Sequence, residues 1–346
     1  MGSLNARNQD AVSPGPAGAR ITATGSYVPE QVLTNADLEK MVDTSDDWIV
    51  QRTGIRERRI CAPDQFTSDL CIAAVRNLLD TCPQAELEDT DLIIVATHTP
   101  ELAFPSAACL VQGHFGLKQA GAMDLNATCA GFAYALHVAN GLICAGLHNK
   151  VLVIGADALS KTTDYTDRTT CILFGDGAGA ALLERSADRP GFIAYHGGAD
   201  GSGAEHLYRT ILTDKLKDKN GDSQPLKADG RIVQNGREVY RFAVTTVPVG
   251  VSALLNKAGM TAGQVDWFIP HSANLRIIDS VCEKTGLSLD KTLHTIERFG
   301  NTSAATIPLA LDAAAKAGKL QDGDNLLMYG FGGGLVHAGL LWRWSC

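Results

Sequence analysis

The chain has 346 residues, 45% of them hydrophobic and 20% charged, with a formal net charge of −8. That is enough length and apolar content for two domains or two tightly packed halves around a large core. The negative balance argues against non-specific binding to nucleic acid or to a membrane surface. No stretch approaches the roughly 18 uncharged apolar residues of a membrane-crossing helix. Nine scattered cysteines, without CxxC or Cys/His metal spacing, point to a reducing, cytoplasmic compartment and away from a disulfide framework or a metal site.

Residues 1–19 are rich in Gly, Ala, Pro, Asn and Ser and lack an apolar segment, so a disordered leader or a remnant of expression is expected there, not a secretory signal. The pattern then predicts a helix over 67–81, a strand over 91–96, a helix over 105–115 and a strand over 123–125. After Cys129 come a helix over 130–145, a strand over 151–154 and a strand over 178–183 that follows the turn Gly175-Asp176-Gly177. Residues 195–235 are polar and rich in Gly, Asp and Lys, and are expected to form a long functional or mobile loop. A helix over 237–258, a strand over 265–269, helices over 274–285 and 303–317 and a strand over 326–329 complete the chain, with Gly332-Gly333-Gly334 at the last turn. Apolar strands separated by helices indicate an α/β fold whose sheets are covered on both faces.

The two halves repeat one another. Each has a strand, a helix, a polar residue before a second helix, and a strand leading to a Gly-rich turn. Cys129 lies 17 residues before Gly146, and Asn301 lies 17 residues before Gly318. The chain therefore reads as a duplicated unit, with a first half over 20–190 and a second over 191–346. The two helix-leading turns are expected to face one another across a pseudo-twofold axis.

A thiol at a helix N-terminus feels the positive end of the macrodipole, which lowers its pKa and favours the nucleophilic thiolate. The amides of that turn can hold an oxyanion. Cys129 fits this description; read alone it could equally be one more small buried residue. His271 directly follows a strand, where active-site groups gather in such folds, though a structural histidine would also fit. Asn301 could be a helix N-cap. Packed face to face, the two halves would bring these residues together.

The chain resembles the β-ketoacyl-acyl-carrier-protein synthase III family of the thiolase superfamily. The likeness runs from about Arg20 to the C-terminus through Thr24–Pro29, Asp43–Ile55, Phe104–Cys109, Asn126–Phe132, Phe174–Ala180, Pro270–Arg276, Gly300–Ser303 and Phe331–Gly334. It implies a five-layer αβαβα thiolase-like sandwich, a homodimer and no cofactor beyond the coenzyme A thioester substrate. Cys129 matches the family's acyl-accepting nucleophile. His271 and Asn301 match the pair that binds the malonyl thioester oxygen and supports decarboxylation, and the amides of Cys129 and Gly333 match the oxyanion hole. Trp48 and Arg168 match the residues that sandwich adenine. Thr44, Arg52, Gly236, Asn274 and Arg276 match further coenzyme A contacts. The run Ser272, Ala273, Asn274, Leu275 and Arg276, with Arg241 and Lys284, matches the surface that receives the acidic carrier protein. Phe104 matches a residue that floors the acyl pocket of the dimer partner.

The implied reaction is a decarboxylative condensation of a short acyl-CoA with malonyl-acyl carrier protein. Ser272 stands where many members carry Gln, and with Gln65–Cys71 it resembles synthases of Bacillus-like bacteria that accept branched primers. Two other readings keep the fold: a secondary-metabolism relative that passes its acyl group to a different nucleophile, and a Cys-dependent hydrolase. A non-catalytic carrier-protein-binding subunit is a third.

Overall fold

The structure, a computed structural model, describes residues 17–217 and 220–346. The leader expectation lies outside the described residues as far as residue 16, whereas Gly18 and Ala19 already belong to the first strand.

The first half builds a five-stranded sheet from β1 (Gly18–Tyr27), β2 (Leu92–Ala96), β3 (Gly121–Leu125), β4 (Lys150–Asp157) and β5 (Gly177–Ser186) in the order β1-β5-β4-β2-β3. The second half builds a four-stranded sheet from β6 (Phe192–Ala199), β7 (Trp267–Pro270), β8 (Asn325–Gly332) and β9 (Val336–Arg343) in the order β6-β9-β8-β7. Both sheets run antiparallel, antiparallel, parallel from the β1 or β6 edge. Where β3 would recur, the second sheet has only a parallel bridge between Phe268 and Thr292.

Seven helices matter for the site: α1 (Asp46–Thr53), α2 (Thr67–Thr81), α3 (Ala107–Phe115), α4 (Gly131–Cys144), α5 (Gly236–Ala258), α6 (Leu275–Thr285) and α7 (Thr306–Lys316). Strand periodicity sorts them into layers. In β2, Leu92, Ile94 and Ala96 pack with α4 and α7, while Ile93 and Val95 pack with α2 and α3. In β8, Leu326 and Met328 join the same central cluster, and Leu327, Tyr329 and Phe331 pack with α5 and α6. The result is helices, sheet, helices, sheet, helices. The central α4 is covered on more than one face as far as Asn140, as suits an element between two sheets, and emerges at Gly141 and Cys144. The outer α6 buries only the face carrying Ile277, Ile278, Val281 and Cys282.

The halves meet through two glycines at equivalent strand positions. A Cβ on Gly155 of β4 would overlap the Ala304 carbonyl, and one on Gly330 of β8 would lie 2.8 Å from Ala130 Cα. Each central strand thus accepts the other half's helix-leading turn at backbone contact. Those turns, 128–130 and 303–305, are 3₁₀ segments that each open on a left-handed residue, Thr128 (φ 46°) and Ser303 (φ 52°). Their correspondence pairs Cys129 with Ala304, not with Asn301. The equal 17-residue spacings are therefore not a symmetry match, because α7 has 11 residues against 14 in α4 and Asn301 lies ahead of its turn.

The expected long loop over 195–235 is also corrected. It starts inside β6 and carries two short ribbons, Leu207–Arg209 paired with Ile232–Gln234 and Lys215–Lys217 paired with Ser223–Pro225. The first ribbon places Leu207, Tyr208 and Arg209 over the cavity described next.

Candidate active site

One cavity of about 490 Å³ collects most of the residues singled out in the sequence: Cys129, His271, Asn301 and Gly333 at one part, and Trp48, Arg52, Gly236, Asn274 and Arg276 along the rest. Three backbone features aim the first group. Cys129 follows β3 in the 3₁₀ turn that leads into α4, His271 caps β7, and Asn301 bridges to Phe174 just before the second turn.

Cys129 is 8% exposed. Burial pushes its thiol up to about 12, while a hydrogen bond from the Ser303 side chain pulls the other way. Burial thus works against the lowering expected from the helix end and favours the neutral thiol in the resting site. Ala130 N–H bonds the Ala127 carbonyl and Gly131 N–H the Thr128 carbonyl, which leaves the Cys129 amide as the donor of this turn beside the sulfur.

His271 is buried, and burial lowers its imidazole to about 3, so the ring is neutral. Its Nδ1 lies 2.8 Å from Thr306 Oγ1, and Phe331 packs edge-on to the ring at 5.2 Å. Thr306 Oγ1 is also 2.9 Å from the Ser303 carbonyl. The hydroxyl donates its one hydrogen to that carbonyl, so in this arrangement its oxygen accepts from His271 Nδ1–H. When the hydroxyl turns from the carbonyl to Nδ1 instead, the neutral ring carries its hydrogen on Nε2 and becomes a donor there. Asn301 Oδ1 accepts from Ser303 N–H at 2.9 Å. This assigns the other head atom as the amide nitrogen, which has no partner of its own among the described residues. Asn301 therefore makes the local turn bond expected of a cap and keeps a free donor.

The other expected contacts divide. The guanidinium of Arg52 lies 5.6 Å and that of Arg168 5.4 Å from the Trp48 ring centroid, a stack held by cation–π attraction. Arg168 also pairs with Asp43. Asn274 caps α6 through Arg276 N–H and donates to the Arg52 carbonyl, tying α6 to α1. Thr44 does not line the cavity, and its hydroxyl is buried without a partner among the described residues. Arg276 is exposed and lies over Tyr240; the exposed Arg241 pairs with Glu238, and Lys284 donates to the Val244 carbonyl. Ser272 cannot belong to a docking surface: it is fully buried, its hydroxyl accepting from Thr295 N–H. Ala273 and Leu275 are half-buried beside it. Phe104 is 85% exposed and lies outside the cavity of its own chain.

The sequence reading passed over His98, Tyr208, Arg209, Gln234, Arg237 and Tyr240, which also line the cavity. The signal for His98 was available, since it stands just past the end of β2 much as His271 stands past β7.

The model of the family described as 3-oxoacyl-[acyl-carrier-protein (ACP)] synthase III matches residues 123–201, and that of its C-terminal region matches residues 255–344. The chain is 58% identical to β-ketoacyl-[acyl-carrier-protein] synthase III 2 of Halalkalibacterium halodurans, over 94% of this chain and 97% of that protein. The chain belongs to the β-ketoacyl-acyl-carrier-protein synthase III family. To the synthase III 2 of Bacillus subtilis it is 57% identical over 94% of this chain and 99% of that one. The crystal structure of the Thermus thermophilus synthase III superposes with a TM-score of 0.89 at 47% identity, covering 94% of this chain and 99% of that one. The five layers and the duplicated sheets are thus those of the synthase III family.

Proposed function

We propose that this chain condenses a short acyl-CoA with malonyl-acyl carrier protein, releasing carbon dioxide and giving a β-ketoacyl-carrier protein, the initiating step of fatty-acid synthesis. The observation that carries the residue assignment is the meeting of Cys129, His271, Asn301 and the Gly332–Gly333 backbone in one cavity.

In the first step a Cys129 Sγ–acyl bond forms, the bond from the acyl carbon to the coenzyme A sulfur breaks, and the thiol proton ends on coenzyme A. The amides of Cys129 and Gly333 receive the carbonyl oxygen as its charge develops. Arg168 lies against Trp48, so adenine would enter between them by moving that guanidinium outward to cover its other face. In the second step the malonyl thioester oxygen accepts from His271 Nε2–H and from the Asn301 amide. Both donors favour the enolate left when carbon dioxide departs, more than they favour the starting thioester. The enolate carbon attacks the acyl-Cys129 carbonyl, and sulfur leaves.

Arg276, Arg241 and Lys284 form the basic approach for the carrier protein. Phe104, projecting from its own chain, is placed to close the acyl pocket of a second copy in a homodimer. Acetyl to branched four- and five-carbon acyl groups are the proposed primers, and the cytoplasm is the proposed compartment.

The test is carbon dioxide release from malonyl-acyl carrier protein by the acylated protein. Wild type releases it, and Asn301→Ala still forms the acyl-enzyme but releases far less. A protein that is acylated yet does not decarboxylate malonyl-acyl carrier protein would transfer its acyl group to some other acceptor.

A further inference from the structure

A second histidine, His98, lines the same cavity beside the Ser303 turn. Its side chain is 15% exposed, and its Nε2 is 3.2 Å from Ser303 Oγ. The same nitrogen is 3.6 Å from Oδ2 of the fully buried Asp157. Asp157 is held rigidly. Its Oδ1 accepts from Thr97 Oγ1, Thr99 Oγ1 and His98 N–H, each at 2.9 Å, and its Oδ2 accepts from Ala304 N–H at 3.3 Å. Arg209 fixes the other side of His98 by donating to its carbonyl at 3.0 Å.

The hydrogen-bond directions follow from the carboxylate. A bare ring nitrogen facing Asp157 would set a lone pair against a negative charge, so Nε2 carries a hydrogen. That hydrogen goes to Ser303 Oγ, which has it as its one donor. The hydroxyl's own hydrogen is then free to turn to Cys129, which lines the same cavity and whose turn packs against the Ser303 turn.

We propose that His98 is a positioning residue for the acyl-transfer step: it turns the Ser303 hydroxyl so that its hydrogen meets the Cys129 sulfur whenever that sulfur carries negative charge. This rests on the reading of Cys129 as the acyl acceptor. Sulfur carries charge twice, when its proton leaves before the acyl bond forms and when the acyl bond breaks in the condensation. His98 gains and loses no proton in either event; it only directs a donor. The charged or titratable groups around it are Asp157, Arg209, Cys129 and His271, which share the cavity wall or its backing.

The experiment is alkylation of Cys129 by iodoacetamide as a function of pH, followed on the Cys129 peptide by mass spectrometry, alongside acylation by acetyl-CoA. Ser303→Ala and His98→Ala should each slow alkylation across the neutral to mildly alkaline range by about tenfold, the scale of a hydrogen bond to a charged group. His98→Gln, whose amide N–H reaches about as far as Nε2, should keep the wild-type profile. Equal profiles for wild type, His98→Ala and His98→Gln would overturn the proposal, as would slowing in Ser303→Ala with none in His98→Ala. A wild type that takes no acyl group while these alkylation differences persist would remove the condensation reading and leave the His98–Ser303–Cys129 arrangement supported.

Discussion

Thr306→Val removes one oxygen from a buried, close-packed site and nearly conserves volume, so it opens no cavity. Thr306 is fully buried, and its hydroxyl serves both His271 Nδ1 at 2.8 Å and the Ser303 carbonyl at 2.9 Å. In the variant both His271 Nδ1 and the Ser303 carbonyl lose that partner. A buried orphaned polar group costs about 1–3 kcal/mol, so urea denaturation should show a loss of that size. The effect on rate should be selective. With burial holding the imidazole neutral, only a hydrogen on Nε2 makes His271 a donor to the malonyl oxygen, and the Thr306 hydroxyl is what accommodates that tautomer. Losing it should slow decarboxylation by about 10- to 100-fold, since about 1.4 kcal/mol is a factor of ten. Formation of the acyl-Cys129 species, followed by intact mass, should change little. Thr306→Ser should restore both rates. Equal slowing of the two steps, or a fully active Thr306→Val, would refute the reasoning.

Two further substitutions probe the same site from different directions. A Cβ on Gly332 would overlap Thr128 Oγ1 and lie 2.8 Å from Cys129 N. Gly332→Ala should therefore displace the Cys129 turn, cost about 1–3 kcal/mol by overpacking, and slow acylation; an unchanged acylation rate would contradict that packing. His271 has a folded pKa of about 3, below its ordinary 6.5. Above 6.5 neither state binds the proton. As pH falls through 6.5 the unfolded chain takes it up and the folded one does not, so stability is lost progressively toward pH 3. At pH 5 the loss is about 2 kcal/mol, at 1.36 kcal/mol per pKa unit. His271→Asn should lose about that much less than wild type between pH 7.5 and 5 in urea titrations, and parallel curves would contradict the burial argument.

The sequence made the interior legible where periodicity was strong. The continuous apolar runs at 92–96 and 151–154 belong to central strands buried on both faces, and the helices over 67–81 and 275–285 show one apolar stripe each. Strands β1 and β6, at sheet edges, were not foreseen because they mix Gly, Ala, Thr and His with few large apolar residues, and β9 was missed too although it lies inside its sheet and carries the buried run Leu340-Leu341-Trp342. The ribbons inside 195–235 escaped for a related reason, being three-residue pairings in a polar segment. In the site, the meeting of Cys129, His271 and Asn301 in one cavity was legible from their motifs, though not from the equal spacings, and the effect of burial on Cys129 was not. A helix end can be read from a sequence, whereas the desolvation that opposes it depends on how completely the two halves close over the sulfur. Ser272 was misjudged likewise, because its place beside exposed Arg276 in the chain says nothing of its burial in the second half.

The central claim is that Cys129 accepts the primer, and it is tested most directly by the intact mass of the protein after incubation with acetyl-, isobutyryl- and isovaleryl-CoA, with Cys129→Ser as the control. The account predicts a gain of one acyl group with at least one of the three, located on the Cys129 peptide and absent from the control. An adduct on another residue, or no adduct with any of the three alongside carbon dioxide release from malonyl-acyl carrier protein, would contradict it.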